Sequence, residues 1–307
     1  MNVQSAGERP ICPVPRRLSP RCDRRGAAAA DQGDAVARGA YLFTAAGCAG
    51  CHTDVAHQGA PLAGGRALKT PFGTFYGPNI TADRTDGIGA WSDADIVAAL
   101  GHGQAPDGSN LYPVFPYTSF TRMTDADALA IKAYIFSLPP VAQPSRPHDV
   151  PFPLSWRFTL TFWKWLEFDP GVFQPHPDHD AQWNRGAYLV EALGHCGECH
   201  TPRDWLGGLE TSAALSGNPT GPDGSKVPNL TGDPATGLGN WTAQQIATVL
   251  KICLLPNGDV VGSAMGEVVN RGTSKLTDED RQAIAAYLKS LPPIVNPAAK
   301  ATAASFD

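Results

Sequence analysis

The chain has 307 residues, enough for two domains of ordinary size and a linker between them. It carries 24 basic and 29 acidic side chains, but residues 1–25 hold six arginines against Glu8 and Asp23, which leaves 18 basic and 27 acidic side chains in the rest. This acidic body argues against nucleic acid as a partner.

The N-terminal segment, residues 1–33, has no apolar stretch of the kind that a secretory signal peptide contains. We therefore expect a disordered tail or a misassigned start. Cys12 and Cys22 fall in this segment, and incidental thiols are a better interpretation of them than a designed disulfide.

The pentapeptide Cys-x-x-Cys-His occurs twice, at residues 48–52 and 196–200. Its spacing is that of c-type haem attachment, because cysteines one helical turn apart can bond both vinyl groups of the macrocycle while the histidine reaches the iron. A zinc knuckle, a redox dithiol or a disulfide is the alternative for a lone Cys-x-x-Cys pair. The sequence predicts two haem c groups, attached through Cys48, Cys51, Cys196 and Cys199, with His52 and His200 as iron ligands.

Helices are predicted from caps and apolar periodicity. Ser92, Thr124, Thr242 and Thr277 are each followed three residues later by Asp or Gln and then by an apolar helical pattern. With a helix before each Cys-x-x-Cys-His, this gives three main helices per motif. Cys253, at the end of one apolar run, is expected to be a small core residue.

An aromatic and proline-rich segment, residues 143–180, separates the two halves. Its apolar centre is too short and too charged to span a bilayer. Its period fits either an extended piece or a helix. Two roles are open: contact between the two halves, or an exposed aromatic surface that docks a catalytic subunit.

A long internal repeat surrounds the motifs. Residues 38–42 recur as 185–189, the Pro-Asn-x-Thr of 78–81 recurs 150 positions later at 228–231, and the Ser-Leu-Pro-Pro of 137–140 recurs at 290–293. One module containing a Cys-x-x-Cys-His motif is thus written twice.

Each repeat resembles a class I cytochrome c domain, with a Gly- and Tyr-containing helix, Cys-x-x-Cys-His, a Pro-Asn loop and a last helix that stops at Leu-Pro-Pro. The pair resembles the first two haem domains of the cytochrome c subunits of periplasmic membrane-bound dehydrogenases of the alcohol and gluconate types. Stretches such as TPFGTFYGPNIT, LYPVFPYTSF and GHCGECHTPRDWLGG carry the likeness. Those subunits have three haems, whereas this chain has two motifs.

The resemblance implies an all-α fold, a tandem duplication of a class I cytochrome c domain with long Gly- and Pro-rich loops. The domains would cover residues 34–142 and 181–297, with the linker at 143–180 and a C-terminal tail at 298–307.

The function implied is electron transfer rather than catalysis. A periplasmic dehydrogenase catalytic subunit would be the donor, and a cytochrome, the quinone pool or an oxidase would be the acceptor. The location would be periplasmic, with membrane attachment only through a partner. The alternative is a haem enzyme of the dihaem peroxidase type, or a ligand-binding haem protein with an open iron at haem 1.

Further site residues follow from the resemblance. The carbonyls of Pro78 and Pro228 would accept a hydrogen bond from the iron-bound histidines, which needs a fixed φ and no N–H, and the alternative is that these prolines only shape their loops. Asn79, Asn229, Trp91 and Trp241 are possible haem contacts, with core packing as the alternative for all four.

The distal ligands are expected to differ between the repeats. Met265 falls between the two helices that follow the second motif, where the family has its distal methionine. The position 150 residues earlier is Phe115, which cannot bind iron. Met123 is the nearest candidate ligand of haem 1, and His102, another group or an open site are the alternatives.

Overall fold

The computed structural model describes residues 24–221 and 224–299, with residues 24–32 described as backbone only. Its first half contains five helices and one β-hairpin: α1 Arg24–Ala45, α2 Cys48–His52, β1 Ala67–Thr70, β2 Gly73–Tyr76, α3 Asp93–His102, α4 Tyr117–Phe120 and α5 Asp125–Ser137. The linker forms α6, Thr159–Glu167.

The second half continues with α7 Ala181–Tyr188, a π-helical turn Leu189–Leu193, α8 Gly197–His200, α9 Ala243–Ile252, α10 Ser263–Arg271 and α11 Asp278–Ser290. Short 3-10 turns lie at Val55–His57, Thr211–Ala213, Thr273–Lys275 and Pro297–Ala299. In β1 and β2, Ala67 pairs with Tyr76 and Thr70 with Gly73 in an antiparallel ladder. The predicted all-α fold, a tandem duplication, is confirmed.

Helix α1 begins at Arg24, inside the segment 1–33 that the sequence predicts as a tail, and a run of four alanines there favours helix. Residues 1–23, with Cys12 and Cys22, lie outside the described residues. At the other end, Ala299 is buried and its carbonyl accepts a bond of 3.1 Å from Asn229 N, while residues 300–307 are outside the description.

Each repeat is framed by its first and last long helices, which cross at a glycine. A Cβ on Gly39 of α1 would lie 1.8 Å from the Ala130 carbonyl oxygen of α5, and a Cβ on Gly186 of α7 would lie 2.0 Å from that of Ala283 of α11. No side chain fits between backbones this close. The glycine shared by residues 38–42 and 185–189 therefore fixes the helix crossing in both repeats.

The four predicted N-caps form as expected. Ser92 and Thr242 make complete capping boxes with Asp95 and Gln245. Thr124 and Thr277 also accept from the backbone N–H three residues on. The carboxylates three residues after these two caps, those of Asp127 and Asp280, accept hydrogen bonds from tyrosines of the other repeat.

The two repeats exchange tyrosines across their contact. Tyr188 Oη donates to Asp127 Oδ2 in the first repeat at 2.5 Å, and Tyr41 Oη donates to Asp280 Oδ2 in the second at 2.7 Å. Each aspartate also accepts from an arginine of its own repeat: Arg38 Nε donates to Asp127 Oδ1 at 2.8 Å, and Arg185 to Asp280.

The same tyrosine oxygens accept from backbone N–H groups of the other repeat, Thr124 N at 3.3 Å and Thr277 N at 3.1 Å. The apolar residues around them form one hydrophobic cluster that includes Leu42 and Ile131 from the first repeat and Leu189 and Ile284 from the second. The two repeats thus share a single core.

Helix α6 of the linker contacts both repeats on one face and has exposed aromatic side chains on another. Trp163 is half-buried, and its Nε1 donates to the Leu206 carbonyl of the second repeat at 3.0 Å, while its ring meets Tyr117 of the first edge-on. On the other face, Phe162 is 65 % and Trp165 82 % exposed. Among the described residues, no helix combines the length and hydropathy needed to cross a membrane.

Candidate functional site

The two Cys-x-x-Cys-His motifs have the same geometry on their histidine side. His52 Nδ1 lies 2.8 Å from the Pro78 carbonyl oxygen, and His200 Nδ1 lies 2.8 Å from that of Pro228. A carbonyl only accepts, so Nδ1 carries the proton in both rings. Each imidazole is thereby oriented with Nε2 as the nitrogen able to bind a metal.

Glycines with positive φ bring the proline loops against the motifs. Gly64, at φ 81°, donates its N–H to the His52 carbonyl at 2.9 Å, and Gly217, at φ 88°, donates to that of His200 at 2.7 Å. A Cβ on Gly64 would lie 2.5 Å from the Gly77 carbonyl oxygen. The sequence interpretation missed this pair, which lies 12 and 17 residues after the two motif histidines; the Leu-x-Gly shared by residues 62–64 and 215–217 was a usable signal.

The two predicted asparagines tie their loops to the end of each repeat. Asn79 Nδ2 donates to the carbonyls of Val141 at 2.8 Å and Gln143 at 2.9 Å, and Asn229 Nδ2 donates to that of Ile294 at 2.7 Å. Both side-chain oxygens accept from the threonine two residues on. These contacts are packing contacts, which was one of the two predicted roles. Asn79 also lines a large cavity beside the first motif, whereas Asn229 does not line it.

One cavity of about 1740 Å³ runs through both repeats, lined by both motifs. It exceeds the roughly 300–1,000 Å³ of a typical small-molecule site. Trp91 and Phe115 line it in the first repeat, and Trp241 and Met265 in the second. A space of this size with mainly apolar walls and two pairs of free cysteines fits two large, flat, apolar groups.

Burial keeps the motif side chains neutral. It lowers the pKa of His52, and lowers that of His200 to about 4 against the opposing effect of the Pro228 carbonyl. It raises the pKa of Cys48 and Cys196 to about 12. Neutral imidazole is the form that binds iron, so the described residues fit the predicted haem c.

The two motifs lie close to each other. Burial raises the pKa of Cys199 to about 11; Glu198 adds to this rise, Arg203 opposes it, and Cys51 of the first motif adds a smaller rise. Arg66 Nη2 of the first repeat donates to Glu267 of the second at 2.8 Å, which ties the two sides of the cavity together. Within the second motif, Glu198 accepts from Thr118 Oγ1 of the first repeat at 2.6 Å.

The candidate ligands of the first repeat lie away from the cavity. Phe115 and Met265, which are 150 positions apart in the repeat, both line it. Met123 is 4 % exposed, belongs to the apolar core and does not line the cavity, and His102 is exposed on the outer surface. Cys253 is buried in a small apolar cluster, as predicted.

Two further histidines line the cavity and were not singled out from the sequence. His195, in the left-handed region at φ 37°, packs edge-on against Phe120, and its Nε2 lies 3.3 Å from the Ala46 carbonyl of the first repeat. His148 lies on the linker, where its Nδ1 accepts from Tyr76 N at 3.1 Å. Their partners are distant in sequence, so no local pattern marks them.

Comparison with known proteins agrees with this geometry. The cytochrome c family model matches residues 36–139 and 184–292. A dihaem cytochrome c-type protein of Cereibacter sphaeroides is 44 % identical over 262 residues, which cover 84 % of this chain and 86 % of that protein.

Two dehydrogenase subunits are also similar. The cytochrome c subunit of a quinone alcohol dehydrogenase of Gluconacetobacter polyoxogenes is 43 % identical, and the cytochrome subunit of a fructose dehydrogenase of Gluconobacter japonicus is 41 % identical. Each match covers 84 % of this chain but only 56 % and 52 % of the two subunits. The chain therefore spans about half the length of these relatives.

Proposed function

The chain belongs to the cytochrome c family and carries two haem c groups, and from this premise we propose that it passes electrons from a dehydrogenase to a downstream respiratory acceptor. When bound, the haem supplies a one-electron Fe(III)/Fe(II) couple. The observation that carries the proposal is the pair of matched histidine sites that face one shared cavity.

The residue roles follow from the contacts in each repeat. The thiols of each motif would attach one group, and Nε2 of His52 and of His200 would bind the iron, because Nδ1 is committed to a proline carbonyl. Met265, which lines the cavity in the second repeat, would be the second protein ligand of that iron, and a thioether ligand favours the reduced state. No described residue is assigned a catalytic role.

The contact between the repeats serves the electron path. Burial, the ion pair between Arg66 and Glu267 and the exchanged tyrosines hold the two motifs at a fixed separation. Because the repeats share one core, neither motif moves without the other.

The proposed donor is the catalytic subunit of a dehydrogenase in the periplasm, because the similar alcohol and fructose dehydrogenase proteins are named as cytochrome subunits. A cytochrome, the quinone pool or an oxidase would take the electrons onward. Haem c is attached outside the cytoplasm, which supports the periplasmic location, and a membrane contact would come through a partner.

The face offered to that subunit is the aromatic surface of the linker, formed by Phe152, Trp156, Phe158, Phe162 and Trp165, which are 54–82 % exposed. Aromatic side chains of 150–250 Å² each give this surface on the order of 600 Å². One partner in a stable complex contributes about 800 Å². The surface is thus large enough to form most of a specific interface, and α6 itself borders the cavity.

The test of the carrier is a haem count. The purified chain, produced with haem c maturation, should show two covalent haems per polypeptide by pyridine haemochrome and take up two electrons in a reductive titration. Replacing Cys196 and Cys199 by Ala should leave one of each, and so should replacing Cys48 and Cys51. A wild-type chain with fewer than two covalent haems would overturn the proposal.

The test of the partner compares two exposed apolar residues. Trp165→Ser, on the aromatic surface, should reduce co-purification of dehydrogenase activity from the native cells. Val260→Ser, at a residue 64 % exposed in the second repeat, should leave it unchanged. Equal recovery with both variants would exclude the aromatic surface as the docking face.

A further inference from the structure

The turn that leads to the distal position is the same in both repeats. Leu111 N donates to the Gly103 carbonyl at 2.8 Å, and Val261 N donates to the Cys253 carbonyl at 2.8 Å. Both acceptor residues have a left-handed backbone and end a helix, α3 or α9. Residues 115 and 265 therefore lie the same number of positions beyond this turn, Phe115 just before α4 and Met265 in the first turn of α10.

The side chains at those two places differ in chemistry. Met265 lines the cavity and presents a thioether, a ligand that haem iron accepts. Phe115 also lines the cavity, and its ring packs 5.7 Å from that of Phe120. A phenyl ring has no lone pair to offer, so the first repeat has an apolar wall where the second has a sulfur.

The other sulfur and imidazole candidates do not replace it. Met123 lies in the apolar core, with 4 % of its surface exposed, and it is not among the residues that line the cavity. His102 is exposed on the outside, where its carbonyl accepts from Lys164 Nζ at 2.8 Å. Neither side chain faces the space between His52 and Phe115 as the structure describes it.

Two cavity-lining histidines and a cavity-lining lysine make hydrogen bonds to other groups. His148 Nδ1 accepts from Tyr76 N, so the proton of the neutral ring is on Nε2, which then has no free lone pair. His195 directs Nε2 toward the Ala46 carbonyl. Lys132 Nζ donates to the Trp91 carbonyl at 3.0 Å and to Asp93 at 2.7 Å.

We propose that Phe115 leaves the distal side of the first haem site without a protein ligand, and that this site takes small neutral molecules such as carbon monoxide or nitric oxide. The inference rests on the proposed function, because it needs haem bound through the first motif. The apolar faces of Phe115 and Phe120 favour an uncharged diatomic ligand over an anion. The second site, with Met265, would not take such a ligand.

The experiment is a carbon monoxide titration of the reduced protein, followed by absorption spectroscopy after both haems have been counted in the same sample. We expect one carbon monoxide per two haems. Phe115→Leu, which keeps the apolar wall, should retain this stoichiometry, and Phe115→Met should abolish it. The Cys196→Ala/Cys199→Ala variant, which keeps only the first haem, should bind one carbon monoxide per haem.

Two haems and no carbon monoxide would overturn the inference and leave the proposed function intact, because another group would then bind the first iron. Binding by the wild type that is absent from the variant with only the first haem would also overturn it. Fewer than two haems in the wild type would instead count against the proposed function.

Discussion

The two haem repeats agree on one side of the cavity and differ on the other. Both have a histidine whose Nδ1 lies 2.8 Å from a proline carbonyl. On the facing side, position 265 is methionine and position 115 is phenylalanine. The covalent attachment fixes one face, so the duplicated chain can vary the other face without losing the cofactor.

The largest expected effect comes from making the second repeat like the first. Met265→Phe should remove the thioether from the second site, so that the reduced protein binds two carbon monoxide molecules rather than one. The reduction potential of the second haem should fall by on the order of 100 mV, because methionine ligation raises the potential of cytochromes c. Spectroelectrochemistry measures the shift. An unchanged potential would mean that Met265 is not a ligand.

The second comparison concerns the helix crossings. Gly39→Ala and Gly186→Ala should each lower the free energy of unfolding by about 3 kcal/mol, because the new methyl group would overlap a backbone carbonyl. Gly101→Ala is the control: a Cβ at this position of α3 would meet no atom within 4 Å, so the change should be neutral or stabilising. Urea unfolding checks all three. Similar losses of unfolding free energy in both variants would support the same helix crossing in both repeats, and a loss in only one variant would refute it.

A smaller difference is expected between the exchanged tyrosines. Tyr188 is buried and its partner Asp127 is 2 % exposed, whereas Tyr41 is only half-buried. Tyr188→Phe should therefore cost about 2 kcal/mol of stability and Tyr41→Phe about 1 kcal/mol, since a lost bond to a buried charge is the costlier. Equal losses, measured by denaturant unfolding, would contradict this ranking.

The smallest effect concerns pH. Burial raises the pKa of Asp280, but hydrogen bonds from Arg185 and Tyr41 outweigh it, so the pKa lies below its ordinary value. Such a group contributes stability above the unfolded pKa of about 3.9 and loses that contribution as pH falls through the folded value. The difference in unfolding free energy between the wild type and Asp280→Asn, about 1 kcal/mol at pH 7, should shrink below pH 4. A difference that stays constant to pH 3 would disprove the coupling.

The sequence predicted whatever rests on local patterns. Helices α3, α5, α9 and α11 begin at the predicted caps because a hydroxyl three residues before a polar side chain satisfies the first N–H groups within one turn. The Cys-x-x-Cys-His motifs were also recognisable, because their residues act together within a single helical turn.

Contacts between distant residues could not be predicted in this way. Asp127 and Asp280 have the pattern of capping-box residues, yet their carboxylates bind tyrosines 61 and 239 positions away. The apolar pattern of the linker fitted both a strand and a helix. The structure has a helix, in which Trp163 packs on the second repeat, a contact that the local pattern does not contain.

The tyrosine exchange has a consequence for how this molecule came to be built. An interface in which one copy's tyrosine meets the other's aspartate, and the reverse, is the isologous contact of a two-fold homodimer. Here both halves belong to one polypeptide. In a homodimer encoded by one gene, a change at the distal position would alter both sites at once. Fusion of the two halves removes that constraint, so that Phe115 and Met265 can coexist around one shared core.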